Sequence, residues 1–465
     1  MTSVSINHEQ TTLPLLLEKL LQQQGIAYQL RLQSHAGPTN CQVRACLLGD
    51  SGGHVLALFP ADHLLDLKRL AQVVGRQLEP VRDEQLQRIL SKHQLNQLPG
   101  LPVLFDSPCI YHLELREQQT LWLQSGLPGW LLEVRSSDTQ RLLEKASGAR
   151  FAVALEAITR PPRDDSNDVQ DLTNAVQQFT ALRVRQRLEE TVGLPPLPQT
   201  AQRILRLRAD PDAGITELAD IVETDPGLAA QVVSWAASPF YAAPGRIRSV
   251  EDAIGRVLGF DLVINLAIGL TLGRTLALPK DAPQGCTPYW EQAIYTAAVI
   301  EGLGRALPPA QRPEAGLSYL AGLLHNFGYL LLAHIFPPHF TLLCRHMEAN
   351  PHVPASLIEQ HLLGVSREQI GCWLMRYWDM PEELVLALRH QHDPDYSGDQ
   401  HVYANLIYVA LSQLAERGIG CSPGQSVPDA LYQRLGLSAE RAAQITDKVL
   451  VAEEALRLLA KQLQH

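Results

Sequence analysis

The sequence predicts two domains of different class, an N-terminal α/β domain followed by a C-terminal all-helical domain. The chain has 465 residues, which is more than one hydrophobic core usually serves. Strand-like and helical patterns alternate before residue 160, whereas helical periodicity alone recurs from about residue 169 to 463. Residues 160–168 combine proline, charge and small polar side chains, as linkers do. We therefore expect domains at residues 1–160 and 191–465, joined by a linker and connecting helix at 161–190.

The first domain is predicted to begin with an amphipathic helix at residues 12–24, where leucines gather on one face. Strand-like runs bounded by turn residues follow at 45–48, 54–59, 103–105, 110–115 and 121–123. Helical patterns lie between them at 64–74 and 83–90. Strands and helices mixed in this way predict a mixed sheet covered by helices.

The second domain contains one stretch that is apolar enough to resemble a membrane span, residues 316–336. His325, Asn326 and His334 interrupt it, which favours a buried core helix over a span. Prolines break the rest of the domain into separate helices, as at Asp210-Pro211 and Met380-Pro381.

Composition and charge restrict the class of protein. Hydrophobic residues make up 46% and charged residues 19%, a balance that is typical of soluble globular chains. Residues 1–160 carry equal numbers of acidic and basic side chains, so the net charge of −10 belongs to the remainder. The acidic second domain is therefore not expected to contact RNA, and a contact with RNA is possible only in the first domain. We expect no membrane binding. Seven cysteines without a C-x-x-C spacing, in a chain with no N-terminal signal pattern, predict a cytoplasmic protein.

Residues 194–269 contain a dense series of helix caps, core-facing aliphatic residues and proline breaks. The clearest are Leu194-Pro195-x-Leu197-Pro198, Asp225-Pro226, Ser238-x-x-Tyr241 and Leu258-Gly259. This series resembles the start of HDOD domains. The resemblance implies an all-helical fold related to the HD phosphohydrolases, and the regulatory or output role in bacterial signalling generally held for that family.

The same resemblance locates the positions at which HD enzymes hold metal ions. Imidazoles and carboxylates are needed there to bind hard divalent cations and activate a water. In this chain the matching positions, which we interpret as vestigial and metal-free, are Gln292, His325, Asn326, Arg367, Gln391, His392 and Asn405. Only the two histidines keep a metal-binding side chain, so we expect no cofactor.

An alternative is that the histidines of this domain regroup around a different metal ion. It would unite His325 and His392 with the extra imidazoles of His361 and His390, and with a carboxylate from Glu359 or Asp393. The competing interpretation is a hydrogen-bonded polar network without metal.

Residues 13–157 resemble the YbaK/prolyl-tRNA-synthetase-associated editing domain, whose members hydrolyse mischarged aminoacyl-tRNAs. The best match is the strand and helix at 54–75. The resemblance implies a cleft in which Arg44 stands where a lysine is usual, with Asp106 as a second candidate for ligand binding. Arginine keeps the charge but differs in shape, which suits phosphate better than a small ester. Gly100 and Pro102 are also spaced more closely than in the usual glycine-to-proline loop.

These observations favour a cytoplasmic bacterial regulatory protein whose two enzyme-derived domains act as binding modules. The helical domain would bind a protein partner or a second messenger, and residues 1–160 would offer a possible contact for tRNA or a nucleotide. Two alternatives stay open. The first is an aminoacyl-tRNA deacylase with a regulatory HDOD domain, and the second is a metal-dependent phosphohydrolase with a non-standard HD site.

Overall fold

The structure is a computed structural model that describes residues 13–102, 107–180, 192–241, 245–421 and 424–463. The chain forms two compact units. The first comprises residues 1–159 together with 344–353, and the second comprises residues 160–343 and 354–465. The segment 344–353, which sequence order assigns to the helical domain, therefore belongs to the first unit.

A mixed sheet forms the centre of the first unit. The strands of this unit are β1 (Tyr28–Leu32), β2 (Gln42–Asp50), β3 (Gly53–Pro60), β4 (His63–Leu65), β5 (Glu79–Pro80), β6 (Cys109–His112), β7 (Thr120–Gln124), β8 (Trp130–Arg135), β9 (Ser147–Ala149) and β10 (Ala152–Ala154). The order in the mixed sheet is β1-β8-β7-β2-β3-β6-β9, with β5 beside β2, and a separate two-stranded sheet joins β4 to β10. The helices are α1 (Leu15–Gln23), α2 (Leu67–Val74), α3 (Asp83–Lys92) and α4 (Ser136–Leu143).

The hairpin of β2 and β3 separates two hydrophobic cores. Side chains alternate along a strand, so Val43 and Leu47 of β2 pack on one face with leucines of α1 and α4. Cys46 and Leu48 face the other way, against Phe59 of β3 and the first leucines of α2. Arg44 is paired with Phe59 in the ladder and shares this second face.

Two predicted elements of the first unit differ from those observed. The pattern at 64–74 was expected to be one helix, but Leu65 pairs with Ala152 in a strand, and α2 begins only after Asp66. The Asp66 carboxylate accepts hydrogen bonds from the backbone N–H groups of Lys68 and Arg69, which fixes the start of the helix. The predicted strand 110–115 ends at His112 and continues as a 3₁₀ turn, and 103–105 lies outside the described residues.

The described part of the second unit contains helices and no strand, so the predicted order of a mixed sheet and then an all-helical domain is confirmed. The first eight helices are α5 (Asp168–Phe179), α6 (Gln199–Arg208), α7 (Ile215–Glu223), α8 (Pro226–Ala236), α9 (Val250–Ala253), α10 (Phe260–Gly273), α11 (Tyr289–Ala306) and α12 (Ala315–Leu324). Those that follow are α13 (Phe327–Ile335), α14 (Pro337–Ala349, of which 344–349 count with the first unit), α15 (Ala355–Leu363), α16 (Arg367–Tyr377), α17 (Glu382–His390), α18 (His401–Ala415), α19 (Asp429–Leu435), α20 (Ala439–Leu450) and α21 (Glu453–Gln462).

Helices α12 and α13 occupy the apolar stretch that resembled a membrane span. By length and hydropathy, residues 315–335 could cross a bilayer, but 94% of the most apolar window is buried inside the protein. Core helices of soluble proteins share these properties, so this single stretch is weak evidence for a span.

Candidate functional site

A cavity of about 510 Å³ in the second unit brings together most of the positions that resemble the HD metal site. Its lining includes Gln292, His325, Asn326, Arg367, Gln391 and His392. Asn405 of α18 is fully buried but is not among the lining residues. Neither polar atom of its amide has a hydrogen-bond partner in the described part of the chain.

The first turns of helices α13 and α16 are in close contact, and this contact places the polar side chains at the centre of the cavity. His325 ends α12 and Asn326 precedes α13, while Arg367 begins α16. A Cβ atom added to Gly328 would lie 1.9 Å from the carbonyl oxygen of Arg367. Only glycine permits this approach, which brings the Asn326 amide within reach of the Arg367 side chain.

The Arg367 guanidinium is held by an internal carboxylate and an amide. Its Nε donates to Glu359 Oε1 at 2.6 Å, and its backbone N–H donates to Glu359 Oε2 at 2.8 Å. Its Nη1 donates to Asn326 Oδ1 at 2.9 Å. The guanidinium carbon also lies 5.1 Å from the centre of the Tyr329 ring, within cation–π range. A fixed positive charge therefore lies beside the His-Asn pair.

Glu359 is fully buried, and burial raises the pKa of its carboxyl to about 7, against the opposing attraction and hydrogen bonds of Arg367. Because charge-assisted hydrogen bonds are the strong kind, this pair fixes the start of α16 against α15. A divalent cation at the same place would meet the Arg367 charge and would have to displace it.

The remaining histidines are arranged for hydrogen bonding. His325 Nδ1 lies 2.7 Å from the carbonyl oxygen of Gly322, and its Nε2 has no partner among the residues described. His392 Nε2 lies 3.4 Å from Glu368 Oε1. Gln391 donates through Nε2 to the backbone oxygen of His325 at 2.8 Å, which leaves its buried Oε1 unpaired within the described residues.

Burial lowers the pKa of His325 to about 4, below its ordinary value near 6.5, so the folded chain binds fewer protons than the unfolded chain between these values. The stabilisation is therefore complete above about pH 6.5 and is lost as the pH falls toward 4. We expect the free energy of unfolding of this unit to fall by up to about 3 kcal/mol over that interval. Urea unfolding at several pH values measures it.

The matched variants are His325→Leu, which should flatten this pH dependence, and His334→Gln on the exposed side of α13, which should not. An unchanged slope in His325→Leu would contradict the assignment.

The alternative metal site does not form in the structure. Over the described ranges, no three His, Cys, Asp or Glu side chains of this cavity place ligand atoms within 4.8 Å of one another. His390 instead stacks on Tyr396, with ring centres 3.8 Å apart. The described positions of these side chains therefore give no support to a regrouping of His325, His361, His390 and His392 around a metal ion.

The predicted linker forms part of the cavity wall. Arg160, Pro161, Pro162 and Arg163 line the cavity. The linker end is anchored by Asp168, which is buried and forms an ion pair with Arg389 of α17, with Nε 2.7 Å from Oδ2. Residues 160–168 contain no hydrophobic side chain that could attach them to the core. They are attached instead through the polar side chain of Asp168.

Cys421 lies at the rim of the cavity and is paired in a disulfide with Cys286, with Cα atoms 4.5 Å apart. The loops that carry them are also joined by hydrogen bonds, since Gly420 N–H donates to Thr287 Oγ1 at 2.8 Å and Thr287 N–H donates to the Gly420 carbonyl oxygen at 3.3 Å. The separation of 135 residues gave no sign of this pair in the sequence.

In the first unit, Arg44 lies on β2 with its side chain half-buried. Its guanidinium forms no ion pair or hydrogen bond with any described residue, and burial lowers the pKa of this group. A half-buried arginine without an internal acceptor is suited to an anionic ligand. Asp106, the second predicted residue of this cleft, lies outside the described residues.

A histidine–carboxylate cluster that the sequence did not reveal lies in the first unit. His63, His112 and Glu114 place possible ligand atoms within 4.8 Å of one another. His112 Nδ1, however, accepts hydrogen bonds from the backbone N–H groups of Phe151 and Ala152 at 3.2 and 3.1 Å. The neutral ring then carries its proton on Nε2, the atom that faces Glu114. This arrangement favours a hydrogen-bonded cluster over a metal centre.

Known families match both parts of the chain. The aminoacyl-tRNA editing domain matches residues 29–142, and the HDOD domain matches residues 194–394. A chain of known crystal structure from Marinobacter aquaeolei VT8, assigned to signal transduction, is 42% identical with a TM-score of 0.91. The similarity covers 98% of this chain and 100% of that one, and it indicates a role in signalling.

More distant relatives match the helical part. An HDOD domain protein of Geobacter sulfurreducens is 21% identical over 64% of this chain and 99% of its own, with a TM-score of 0.51, which shows a shared fold. An uncharacterized protein of Treponema pallidum (strain Nichols) is 24% identical over 259 residues, 55% of this chain. The chain spans about half the length of that relative, 49%. With its two domains matched in order, the chain belongs to the family of proteins in which an aminoacyl-tRNA editing-type domain precedes an HDOD domain.

Proposed function

We propose that this chain is a non-catalytic regulatory protein of bacterial cytoplasmic signalling, whose HDOD domain binds a nucleotide-type second messenger. The observation that carries the proposal is the Arg367 guanidinium, bound to Glu359 and Asn326 at the position that resembles the HD metal site. The positive charge of Arg367 opposes the binding of divalent metals at this position. The cavity nevertheless has a volume of about 510 Å³, which is in the range of small-molecule binding sites.

The chemistry of the lining supports this class of ligand. His325 Nε2 and Gln391 Oε1 are buried acceptors that lack a donor among the described residues, so a ligand with N–H groups would complete them. Amino and ring N–H groups of nucleobases are donors of this kind. Arg160, exposed at the cavity wall, has no ion pair with a described residue and complements a phosphate.

The linker gives such a ligand a route to regulation. Because residues 160–163 line the cavity, a bound nucleotide would contact the segment that leads into the helical unit. Occupancy would then stabilise one linker conformation over others, which is how a ligand shifts a conformational equilibrium.

A thermal-shift panel tests the proposal. Nucleoside monophosphates, cyclic mononucleotides and cyclic dinucleotides are added to the full chain, and we expect one class to raise Tm saturably. The shift should be lost in Gln391→Ala and retained in Gln444→Ala, an exposed glutamine of α20. The proposal fails if no nucleotide class shifts Tm, or if the protein hydrolyses bis(p-nitrophenyl) phosphate with Mn²⁺ and Glu359→Gln abolishes that activity.

For the first unit we propose a second recognition surface around Arg44, supported by its half-buried and unpaired guanidinium. The alternative is an aminoacyl-tRNA deacylase. Incubation with mischarged tRNAs separates the two, because deacylation that depends on Arg44 would favour the enzyme.

A further inference from the structure

The loop that follows α18 forms one edge of the HDOD cavity. Its residues Ile419, Gly420 and Cys421 are among those that line the cavity. We call residues 416–421 the rim loop. The disulfide bond of Cys421 joins the rim loop to Cys286, in the loop that leads into α11. The disulfide is therefore part of the cavity boundary and is not a feature of a distant surface.

The backbone holds the two cysteines together independently of the bond between their sulfur atoms. Gly420 and Thr287, the neighbours of Cys421 and Cys286, exchange the two hydrogen bonds described above. Gly420 has a φ of 134°, which a residue with a side chain rarely adopts. A Cβ atom added there would lie 3.6 Å from Nε2 of Gln292, another lining residue. A displacement of the rim loop would therefore change the cavity wall.

Both cysteines of the pair are half-buried, so a small thiol or disulfide in solution can reach them. Cys109 and Cys372 are buried instead, and burial raises the pKa of each thiol to about 12, which makes them poor nucleophiles. In the cytoplasm, the compartment of the proposed function, disulfides are usually transient or redox-sensing. A half-buried pair beside a cavity fits that class.

We propose that Cys286 and Cys421 are a reversible redox-modification site that regulates the HDOD cavity, in which the disulfide fixes the rim loop and the dithiol releases it. The regulatory meaning of the pair rests on the proposed function, in which this cavity binds the ligand. The test uses the protein and glutathione alone, without a nucleotide, so the two proposals fail separately.

Thiol–disulfide exchange with the glutathione couple supplies the chemistry. The thiolate of one cysteine attacks glutathione disulfide, forms a mixed disulfide and releases one glutathione. The thiolate of the other cysteine then displaces the second glutathione and closes the bond between Cys286 and Cys421. The two protein thiols lose two electrons and two protons, and these appear in the two glutathione molecules. Excess reduced glutathione reverses both steps.

A glutathione titration of the full chain tests the reversibility. The chain is equilibrated with buffers of increasing glutathione to glutathione disulfide ratio, alkylated with N-ethylmaleimide and analysed by peptide mass spectrometry. Cys286 and Cys421 should pass together from disulfide to alkylated thiols within this range, whereas the half-buried Cys41, which forms no disulfide, should not follow their transition. The proposal is overturned if the pair stays oxidised at the most reducing ratio or stays reduced at the most oxidising one.

Hydrogen exchange of the two states tests the release of the rim loop. Peptides that cover residues 284–288 and 416–421 should exchange roughly tenfold faster in the reduced chain, because reduction removes a covalent link between the two loops. The centre of α18, residues 404–412, should be unchanged. Equal exchange of the rim loop in both states would overturn the proposal.

Two serine variants complete the experiment. Cys286→Ser in the oxidising buffer should exchange like the reduced wild-type chain, because it cannot form the disulfide. Cys41→Ser is the matched control in the first unit and should exchange like the oxidised wild-type chain. If Cys286→Ser instead matches the oxidised chain, the disulfide does not control the rim loop and the proposal is wrong.

Discussion

Replacing Arg367 by methionine should lower the free energy of unfolding of the helical unit by about 3–5 kcal/mol. The substitution keeps much of the side-chain volume but removes the hydrogen bond from Arg367 Nε and the ion pair of Arg367 Nη2 with the fully buried Glu359 carboxylate. The backbone N–H of residue 367 would keep its hydrogen bond to Glu359. Amide hydrogen exchange of α15 and α16 in increasing urea measures the loss in the second unit alone.

The double variant Arg367→Met with Glu359→Leu should recover most of this loss, because it removes the unpaired charge together with its partner. Arg376→Met is the matched control, since it makes the same substitution on the same helix. Arg376 is 42% exposed and pairs with the 57% exposed Glu382 and with Asp165, which is 30% exposed, so its loss should cost about 1 kcal/mol. Equal losses in Arg367→Met and Arg376→Met would show that the buried pair has no special role.

Six of the positions named from the sequence line the cavity, because they lie at or near helix ends that local motifs define. The resemblance to HD enzymes grouped Asn326, Arg367 and Gln391, and the cavity contains all three. The partner of Arg367 was harder to assign, since a carboxylate at Glu359 suits a metal ion as well as a guanidinium. Asn405 was assigned to the same group from the resemblance to HD enzymes, but it is not among the residues that line the cavity.

Contacts between distant positions could not be read from the sequence. Asp168 and Arg389 are 221 positions apart, and Leu65 and Asn350 are 285 apart. Hydrophobic periodicity reports which face of a helix or strand is buried, but it contains no information on which polar side chains meet. Residues 160–168 therefore resembled a free linker, although a buried ion pair anchors Asp168.

Arg389→Ala should release the linker and destabilise its attachment by about 3 kcal/mol. The guanidinium binds Asp168 through two nitrogens, at 2.7 and 3.1 Å, and both side chains are 6% exposed. Its Nη2 also donates to the carbonyl oxygens of Pro162 and Asp164 at 2.8 and 3.1 Å. Without it, Asp168 would be a buried charge that keeps, among the described residues, the hydrogen bond from the Gln369 amide.

Limited trypsin digestion measures the release, because Arg163 lies in the linker segment that Arg389 holds. Cleavage after Arg163 should accelerate roughly a hundredfold, since a cost of about 3 kcal/mol changes the open population by that factor. Arg389→Lys should give an intermediate rate, because a lysine keeps the charge but not the two-nitrogen fork. Cleavage after Arg434 in α19 is the internal control, and a parallel increase there would indicate general unfolding. A linker that opens while α19 stays protected is what a ligand in the HDOD cavity would need in order to act on residues 160–163.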